Sequence, residues 1–304
     1  MKMIRKVLKW IGIILAGLVG LIVVAAIAGV VIAAARFNRI YEVQAAPAAI
    51  PNDGEALERG EHLVKALAGC TGCHGEDLGG MVLLDEPAIM TFYGPNLTVG
   101  KGGVGARFGD EDWVRAIRHG VDSDGKSLLL MPAQHYRSLT DDDLGAILAY
   151  IRSLPPVDNE TPEPRIGPMG YLLALTEPVF LPAALFDHSE PPGPAIEPAV
   201  SVEYGAYLVA LGTCRDCHGD DLNGRPLPPM LDEPPARNLT PAGQLAFWSE
   251  EDFVRAMRTG VTPGGYTLQE PMAGMLPILQ RQTDDELAAI FLYLQSLPPK
   301  EFGE

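Results

Sequence analysis

The stretch Cys70-Thr71-Gly72-Cys73-His74 has a second copy, Cys214-Arg215-Asp216-Cys217-His218, and the two contain all four cysteines of the chain. The pattern C-x-x-C-H is typical of covalent attachment of a c-type haem. Two thiols one helical turn apart can each add to a haem vinyl group, and the adjacent histidine can supply an axial ligand to the iron. The sequence therefore predicts two covalently bound haem c groups, one held by Cys70, Cys73 and His74 and the other by Cys214, Cys217 and His218.

Structural zinc and thioredoxin-like redox chemistry also use C-x-x-C pairs. A structural zinc site takes four ligands from paired knuckles. Here the two pairs lie 144 positions apart, and each has its own histidine directly attached. The haem interpretation is preferred because the complete motif occurs twice and no cysteine is left over.

The charge of the chain is unevenly distributed. Its 304 residues are enough for about two domains. Residues 1 to 39 carry six basic and no acidic side chains, so the rest holds 17 basic against 39 acidic, a net charge of −22. This charge argues against nucleic acid as a partner, because phosphate binding requires a basic surface. The acidic surface serves solubility or steers a basic redox partner.

An uncharged run from Trp10 to Ala35 follows four basic residues near the N-terminus. As a helix it would be roughly 39 Å long, more than the roughly 30 Å of bilayer hydrocarbon. A cleavable signal has an apolar region of only about 7 to 15 residues, so the run predicts an uncleaved membrane anchor. Ala46-Pro47-Ala48 resembles a cleavage site and keeps cleavage open as the alternative.

The basic residues also predict the orientation of this anchor. Four precede the apolar run, whereas only Arg36 and Arg39 follow it closely, which favours a cytoplasmic N-terminus. The remaining chain then faces the periplasm or cell exterior from the bacterial cytoplasmic membrane. That side lacks the reducing conditions of the cytosol.

The segment around the first motif predicts three helices. Apolar residues at helical spacing run from Glu55 to Gly69, directly before the motif. A second helix begins near Asp110 and stops at Gly120, and a third runs from Thr140, a capping residue, to Leu154. The intervening stretch from Gly75 to Arg107 contains many glycines and predicts mostly loop.

The second half repeats this layout with a period near 143 residues. Glu250-Glu251-Asp252-Phe253-Val254-Arg255 echoes Asp110-Glu111-Asp112-Trp113-Val114-Arg115, and Thr283-Asp284-Asp285 echoes Thr140-Asp141-Asp142. Such self-similarity indicates an internal duplication. Each unit is predicted to be one small α-helical haem domain of about 100 residues, since neither half contains a convincing alternating strand.

The order of motifs resembles the class I cytochrome c domain: C-x-x-C-H, Asn-Leu-Thr, a helix like Asp-Trp-Val-Arg-Ala-Ile-Arg, Met-Pro, and a closing helix ending Ser-Leu-Pro-Pro. Two such domains behind an anchor resemble membrane-bound dihaem cytochromes c and cytochrome subunits of bacterial periplasmic dehydrogenases. The resemblance implies an all-α fold: a basic tail and transmembrane anchor at 1–40, haem domains at 41–156 and 199–304, and a proline-rich linker at 157–198.

The resemblance also implies a methionine as the sixth iron ligand in each domain. Met131 matches this position in the first unit and Met272 in the second, with Met275 as a competitor. A thioether ligand raises the iron's reduction potential, which suits a reversible one-electron carrier. The alternative in the first unit is bis-histidine ligation, with His119 or His135 as the second ligand. Otherwise these two residues are ordinary exposed or loop histidines.

Supporting residues follow from the same resemblance. The carbonyl of Pro95 is expected to fix the ring of His74. The aligned residue in the second unit is Arg237, so the equivalent carbonyl contact to His218 is in doubt. The Arg237 side chain is instead a candidate partner for a haem propionate. Gly60 and Gly205 are expected to let the first helix of each unit cross the last.

The linker contains a largely apolar segment from Ile166 to Phe186. Pro168, Pro178 and Pro182 interrupt it, so it is a poor candidate for a second membrane span. We expect it to pack across the two haem domains, fixed by His188, with a role at the membrane surface or in partner binding as the alternative.

These features predict a membrane-anchored one-electron carrier that connects a redox protein donor and acceptor, with no catalytic residue. Two alternatives remain. A dihaem enzyme, such as a peroxidase or thiosulfate-oxidising cytochrome, would need one iron with an open position. An electron-transfer subunit of a dehydrogenase or respiratory complex would have the same sequence features but would depend on its complex.

Overall fold

The computed structural model describes residues 2–176, 180–191, 193–227 and 234–303; Pro178 of the linker lies outside these ranges. The chain starts with a long helix, α1 (Lys2–Phe37). Residues Met3–Phe37 are long and apolar enough to cross a membrane, with a mean hydropathy of 2.9. Most of its apolar side chains are exposed, for example Leu21 and Val24. A helix this apolar on all sides is expected in lipid.

The first domain is built from helices around the first C-x-x-C-H motif. Helix α2 (Gly54–His62) continues as a π-helical turn at Leu63–Leu67, and α3 (Thr71–His74) carries the motif. Then come α4 (Asp110–His119), a single turn α5 (Ala133–Tyr136) and α6 (Asp141–Ser153). A 3-10 turn at Val104–Ala106 precedes α4.

The ends of these helices follow the local signals in the sequence. Thr140 accepts a hydrogen bond from the backbone N–H of Asp143 and so caps α6. Gly120 ends α4 in the left-handed conformation, with φ 62°. The predicted helix boundaries of the first domain are thus confirmed to within a residue or two.

A small antiparallel sheet lies partly within residues 75–107, where the sequence predicted mostly loop and no convincing alternating strand. Strand β1 (Met81–Glu86) pairs with β2 (Met90–Gly94), and β2 pairs with β3 (Arg165–Ile166). The sequence of β1 does not alternate, because both of its faces are largely exposed. The fold is mostly helical rather than all-α.

The second domain repeats the helical layout. Its first helix is α8 (Val202–Leu211), and α9 (Cys214–His218) carries the second motif. A 3-10 turn at Gln244–Phe247 precedes α10 (Glu250–Thr259), α11 (Met272–Leu279) and α12 (Asp284–Ser296). Side chains of serine and threonine cap α8, α10 and α12.

The first and last helices of each domain cross at a glycine, as predicted. A Cβ atom at Gly60 would overlap the carbonyl oxygen of Ala146 and lie 2.8 Å from Tyr150 Cβ. At Gly205 it would overlap the oxygen of Ala289 and lie 2.8 Å from Tyr293 Cβ. Only glycine permits this approach of α2 to α6 and of α8 to α12.

The linker is packed differently from the prediction. Helix α7 (Pro168–Leu173) lies against the second half of α1, and the 3-10 turn at Pro182–Ala184 lies against α5. Phe37 and Tyr171 meet edge to face, with ring centroids 5.5 Å apart. In the part of the chain that the structure describes, these contacts join the linker to α1 and the first domain, so the expected packing across both haem domains is wrong.

Candidate haem sites

The first site is centred on α3, where the two thiols and the histidine share one helical turn. The backbone N–H of His74 donates to the oxygen of Cys70, which closes that turn. Ring atom Nδ1 of His74 donates to the carbonyl oxygen of Pro95 at 2.8 Å. Because a carbonyl oxygen only accepts, Nε2 keeps its lone pair. Burial lowers the pKa of His74, so the ring is neutral and suited to bind iron.

The second site has the same arrangement on α9. Nδ1 of His218 donates to the carbonyl oxygen of Arg237 at 2.7 Å. The doubt raised by arginine in place of proline is resolved, since the contact uses only the backbone. Burial also lowers the pKa of His218, against the opposing effect of this hydrogen bond. Pairing of the Arg237 side chain with a haem propionate stays a prediction.

The thiols fit covalent attachment better than metal binding. Burial raises the pKa of Cys70 to about 12 and that of Cys214 to about 11, so both thiols are protonated at neutral pH. Among the described residues, no group of three or more His, Cys, Asp or Glu side chains could hold a metal ion. The donor set of each site is two thiols and one neutral imidazole, which fits haem c.

The two methionine positions differ in local geometry. Met131 precedes α5 and is half-buried against the hydrophobic core. Leu130 before it has φ 56°, a left-handed conformation that turns the chain at this point. Met272 is the first residue of α11 and also packs against the core, whereas Met275 lies one turn further along the same helix.

The alternative histidine ligands of the first unit have partners within the protein. His135 is buried, and its Nε2 lies 2.6 Å from Oδ1 of Asp216. His119 lies with its Nδ1 3.2 Å from Nδ1 of His188 in the linker. The hydrogen bond at Nε2 favours a structural role for His135 over bis-histidine ligation. The contact of His119 uses Nδ1, so it does not distinguish between the two roles for that residue.

Each domain contacts the C-x-x-C-H motif of the other. Asp216, the partner of His135, is the third residue of the second motif. Conversely, Ile278 of α11 covers Gly72, the third residue of the first motif: a Cβ there would lie 3.6 Å from Ile278 Cδ1. Buried residues of both domains form one continuous hydrophobic cluster. The two candidate haem sites are therefore neighbours within one packed unit.

A buried ionic cluster joins the domains beside these contacts. Asp143 accepts hydrogen bonds from Nε and Nη2 of Arg59, both at 2.8 Å, and from the Tyr207 hydroxyl of the second domain at 2.6 Å. Glu286 is the equivalent of Asp143 in the second domain. Its Oε1 lies 2.8 Å from Nε2 of His62 of the first domain. Burial acts to raise the pKa of Glu286, but its hydrogen bonds outweigh this effect and lower it.

Sequence reasoning did not find this cluster. Arg59 and His62 lie three residues apart on α2, as Tyr204 and Tyr207 do on α8. Spacing of this kind predicts one shared helix face. It does not indicate that the two faces meet, because the contact joins residues far apart in the chain.

The helices, the glycine crossings and the two histidine-centred sites define a c-type cytochrome. Residues 55–151 match the family described as Cytochrome C oxidase, cbb3-type, subunit III, and residues 202–298 match the family described as Cytochrome c. The chain is therefore a dihaem cytochrome with two tandem cytochrome c domains behind an apolar N-terminal helix, and the two domains imply two covalent haem c groups.

The chain is similar to several cytochromes over about four fifths of its length. The chain is 28% identical over 278 residues to the fructose dehydrogenase cytochrome subunit of Gluconobacter japonicus, covering 81% of this chain and 53% of that protein. It is 30% identical to the gluconate 2-dehydrogenase cytochrome c subunit of Pantoea cypripedii, covering 82% and 61%. A dihaem c-type cytochrome of Cereibacter sphaeroides is 28% identical, covering 82% and 88%. The chain thus spans little more than half of the two dehydrogenase subunits.

Proposed function

We infer that this protein is a membrane-anchored one-electron carrier between a redox protein donor and an acceptor. Each bound haem supplies one-electron chemistry, because its iron alternates between two oxidation states. The observation that carries the proposal is the reciprocal contact of the domains, in which α5 meets the second motif and α11 meets the first. This contact holds the two sites together without a flexible joint.

The proposed iron ligands are His74 with Met131, and His218 with Met272. The carbonyl oxygens of Pro95 and Arg237 orient the two imidazoles through their Nδ1 atoms. A ligand held in one orientation by an outer hydrogen bond stays in place when the charge of the metal changes. Little rearrangement then accompanies each electron transfer. None of these residues is proposed to act on a substrate.

The proposed partner is a dehydrogenase, supported by the two relatives named as cytochrome subunits of such enzymes. The haem domains are proposed to face the periplasm, with α1 in the cytoplasmic membrane. The basic residues before α1 support this orientation. A subunit of this kind passes on electrons that its partner removes from a substrate.

Electron paramagnetic resonance of the purified, oxidised protein tests the proposed ligands. Two low-spin haem signals are expected, and Met131→His and Met272→His should each alter one of them. Replacing Cys70 and Cys73 by alanine should halve the covalently bound haem measured by mass spectrometry. Two attached haems in that variant would refute the assignment.

The same spectra separate the carrier from the enzyme alternative. A high-spin signal in the unmodified protein would show an open iron position and favour a peroxidase-like enzyme. Purification from membranes in mild detergent tests the partner: co-elution with a dehydrogenase supports a subunit role. A protein that elutes alone and shuttles electrons between soluble redox proteins would indicate an independent carrier.

A further inference from the structure

A cavity of about 170 Å³ lies at the end of α1, where the chain enters the first domain. Two kinds of side chain line it. Arg36, Arg39 and Tyr41 form the polar part. The apolar part comes from the linker segment after α7, namely Ala174, Leu181, Ala184 and Leu185.

The polar part of this cavity is positively charged, and some of its polar groups have no partner within the described part of the chain. In the described part of the chain, neither Arg36 nor Arg39 forms an ion pair, and residues 1 to 39 contain no acidic side chain. The guanidinium of Arg39 lies 4.8 Å from the centre of the Tyr41 ring. Tyr41 is 9% exposed, and its buried hydroxyl has no hydrogen-bond partner. A buried hydroxyl normally has one, so an acceptor from outside the protein is expected here.

Tyr41 itself is fixed in position. Its backbone N–H donates to the oxygen of Gly125 at 2.7 Å, and its side chain packs with Val121 and Ala183. The ring also meets His188 edge to face, with centroids 5.5 Å apart. The end of α1, the first domain and the linker are thus joined around this one side chain, so the cavity is a formed part of the fold.

Packing against α1 places the apolar part of the cavity at the level of the membrane. A Cβ at Gly29 would lie 3.1 Å from Leu175 Cδ1 and 3.3 Å from Leu172 Cδ2. Gly29 precedes Arg36 by two helical turns, or roughly 10 Å along the axis. The uncharged run is longer than the hydrocarbon core, so a centred placement puts Gly29 inside it. The linker therefore reaches into the same leaflet.

We propose that this cavity binds the headgroup of an anionic phospholipid. The phosphate lies between the guanidiniums of Arg36 and Arg39 and accepts a hydrogen bond from the Tyr41 hydroxyl. An acyl chain runs along the leucines of the linker. The apolar lining distinguishes this ligand from a free phosphate, which would gain only the polar contacts. The proposal rests on membrane insertion of α1 and is independent of the electron-transfer partner.

Native mass spectrometry of the full-length holoprotein in detergent tests the proposal. Phosphatidylglycerol, phosphatidylcholine and inorganic phosphate are added separately, and the bound fraction is measured. The double variant Arg36→Gln/Arg39→Gln should bind phosphatidylglycerol about tenfold more weakly than the unmodified protein, since two charge-assisted contacts are lost. Tyr41→Phe keeps the ring and the charges and should weaken binding about threefold.

The control variant is Arg107→Gln. Arg107 is an exposed arginine of the first domain that forms no ion pair in the described part of the chain. It should bind phosphatidylglycerol as the unmodified protein does, and all variants should keep two covalent haems. Equal binding of phosphatidylcholine, equal binding of inorganic phosphate, or equal loss in Arg107→Gln would overturn the proposal. Unchanged binding in Tyr41→Phe would remove the tyrosine from the site.

Discussion

Replacing Asp143 by asparagine is the sharpest test of how the two domains are held together. The Asp143 residue is 7% exposed, and both of its carboxylate oxygens accept hydrogen bonds. Two come from Arg59 within the domain and one from Tyr207 across the interface. An asparagine of the same shape would present an NH₂ group to one of these donors. The variant thus removes the charge and opposes at least one donor without creating a cavity.

The expected loss can be worked from these contacts. Breaking a buried ion pair costs about 3–5 kcal/mol when the remaining charge stays buried. The Arg59 side chain is 23% exposed, so water recovers part of this cost and about 2–3 kcal/mol remains. Tyr207→Phe removes only the interface hydrogen bond and should cost about 1–2 kcal/mol. A double-mutant cycle between the two positions should therefore show a coupling of about 1 kcal/mol.

Urea unfolding of the holoprotein in detergent measures both effects. Haem absorbance and tryptophan fluorescence follow the transition, with Trp113 in the first domain and Trp248 in the second. A single transition is expected in the unmodified protein and two transitions in Asp143→Asn, since the domains then unfold independently. A change below about 0.5 kcal/mol, with a single transition, would refute the idea that this carboxylate joins the domains.

Three further predictions concern the glycine crossing, the second-domain ligand and the histidine pair. Gly60→Ala should lower the free energy of unfolding by about 1–3 kcal/mol or more through overpacking, whereas Gly54→Ala, which faces open space, should change it little. Potentiometric titration should show one haem with an altered potential in Met272→Leu and unchanged potentials in Met275→Leu; the opposite result would make Met275 the ligand. Burial lowers the pKa of His119 to about 4, with a smaller contribution from the neighbouring His188. The folded state therefore binds fewer protons than the unfolded state between about pH 6.5 and 4. Stability should fall by about 1–2 kcal/mol as the pH drops through that window, and His119→Asn should abolish this contribution, as thermal melts at each pH would show.

The sequence predicted those features whose signals are local. The capping threonine at 140 and the terminating Gly120 lie next to the helix ends that they determine, so the boundaries of α4 and α6 were accessible. The two haem motifs each occupy a single turn, so the attachment residues of each site could be predicted from a few neighbouring residues. The glycines at the helix crossings were found through the family resemblance, because nothing in their immediate neighbours indicates a close approach.

Features that depend on distant residues were missed. Strand β2 pairs with β3, which lies about 75 positions further along the chain, and β1 has no buried face to impose alternation. The linker packs on α1 rather than across both domains because Leu172 and Leu175 fit against the small residue Gly29. The small residue on α1 thus determines where the linker packs, which the composition of the linker alone does not indicate.

The reciprocal contacts between the domains also explain why the duplicated halves pair with each other. His135 and Ile278 occupy equivalent places, each five positions before a capping threonine, and Gly72 and Asp216 are both third residues of their motifs. One contact is a hydrogen bond and the other is apolar. Two copies of the first domain would place His135 against Gly72, which offers no side-chain acceptor. Two copies of the second would place the Asp216 carboxylate against Ile278. Both arrangements leave a polar group unpaired, so the divergence of these two positions selects the pairing of unlike domains within one chain.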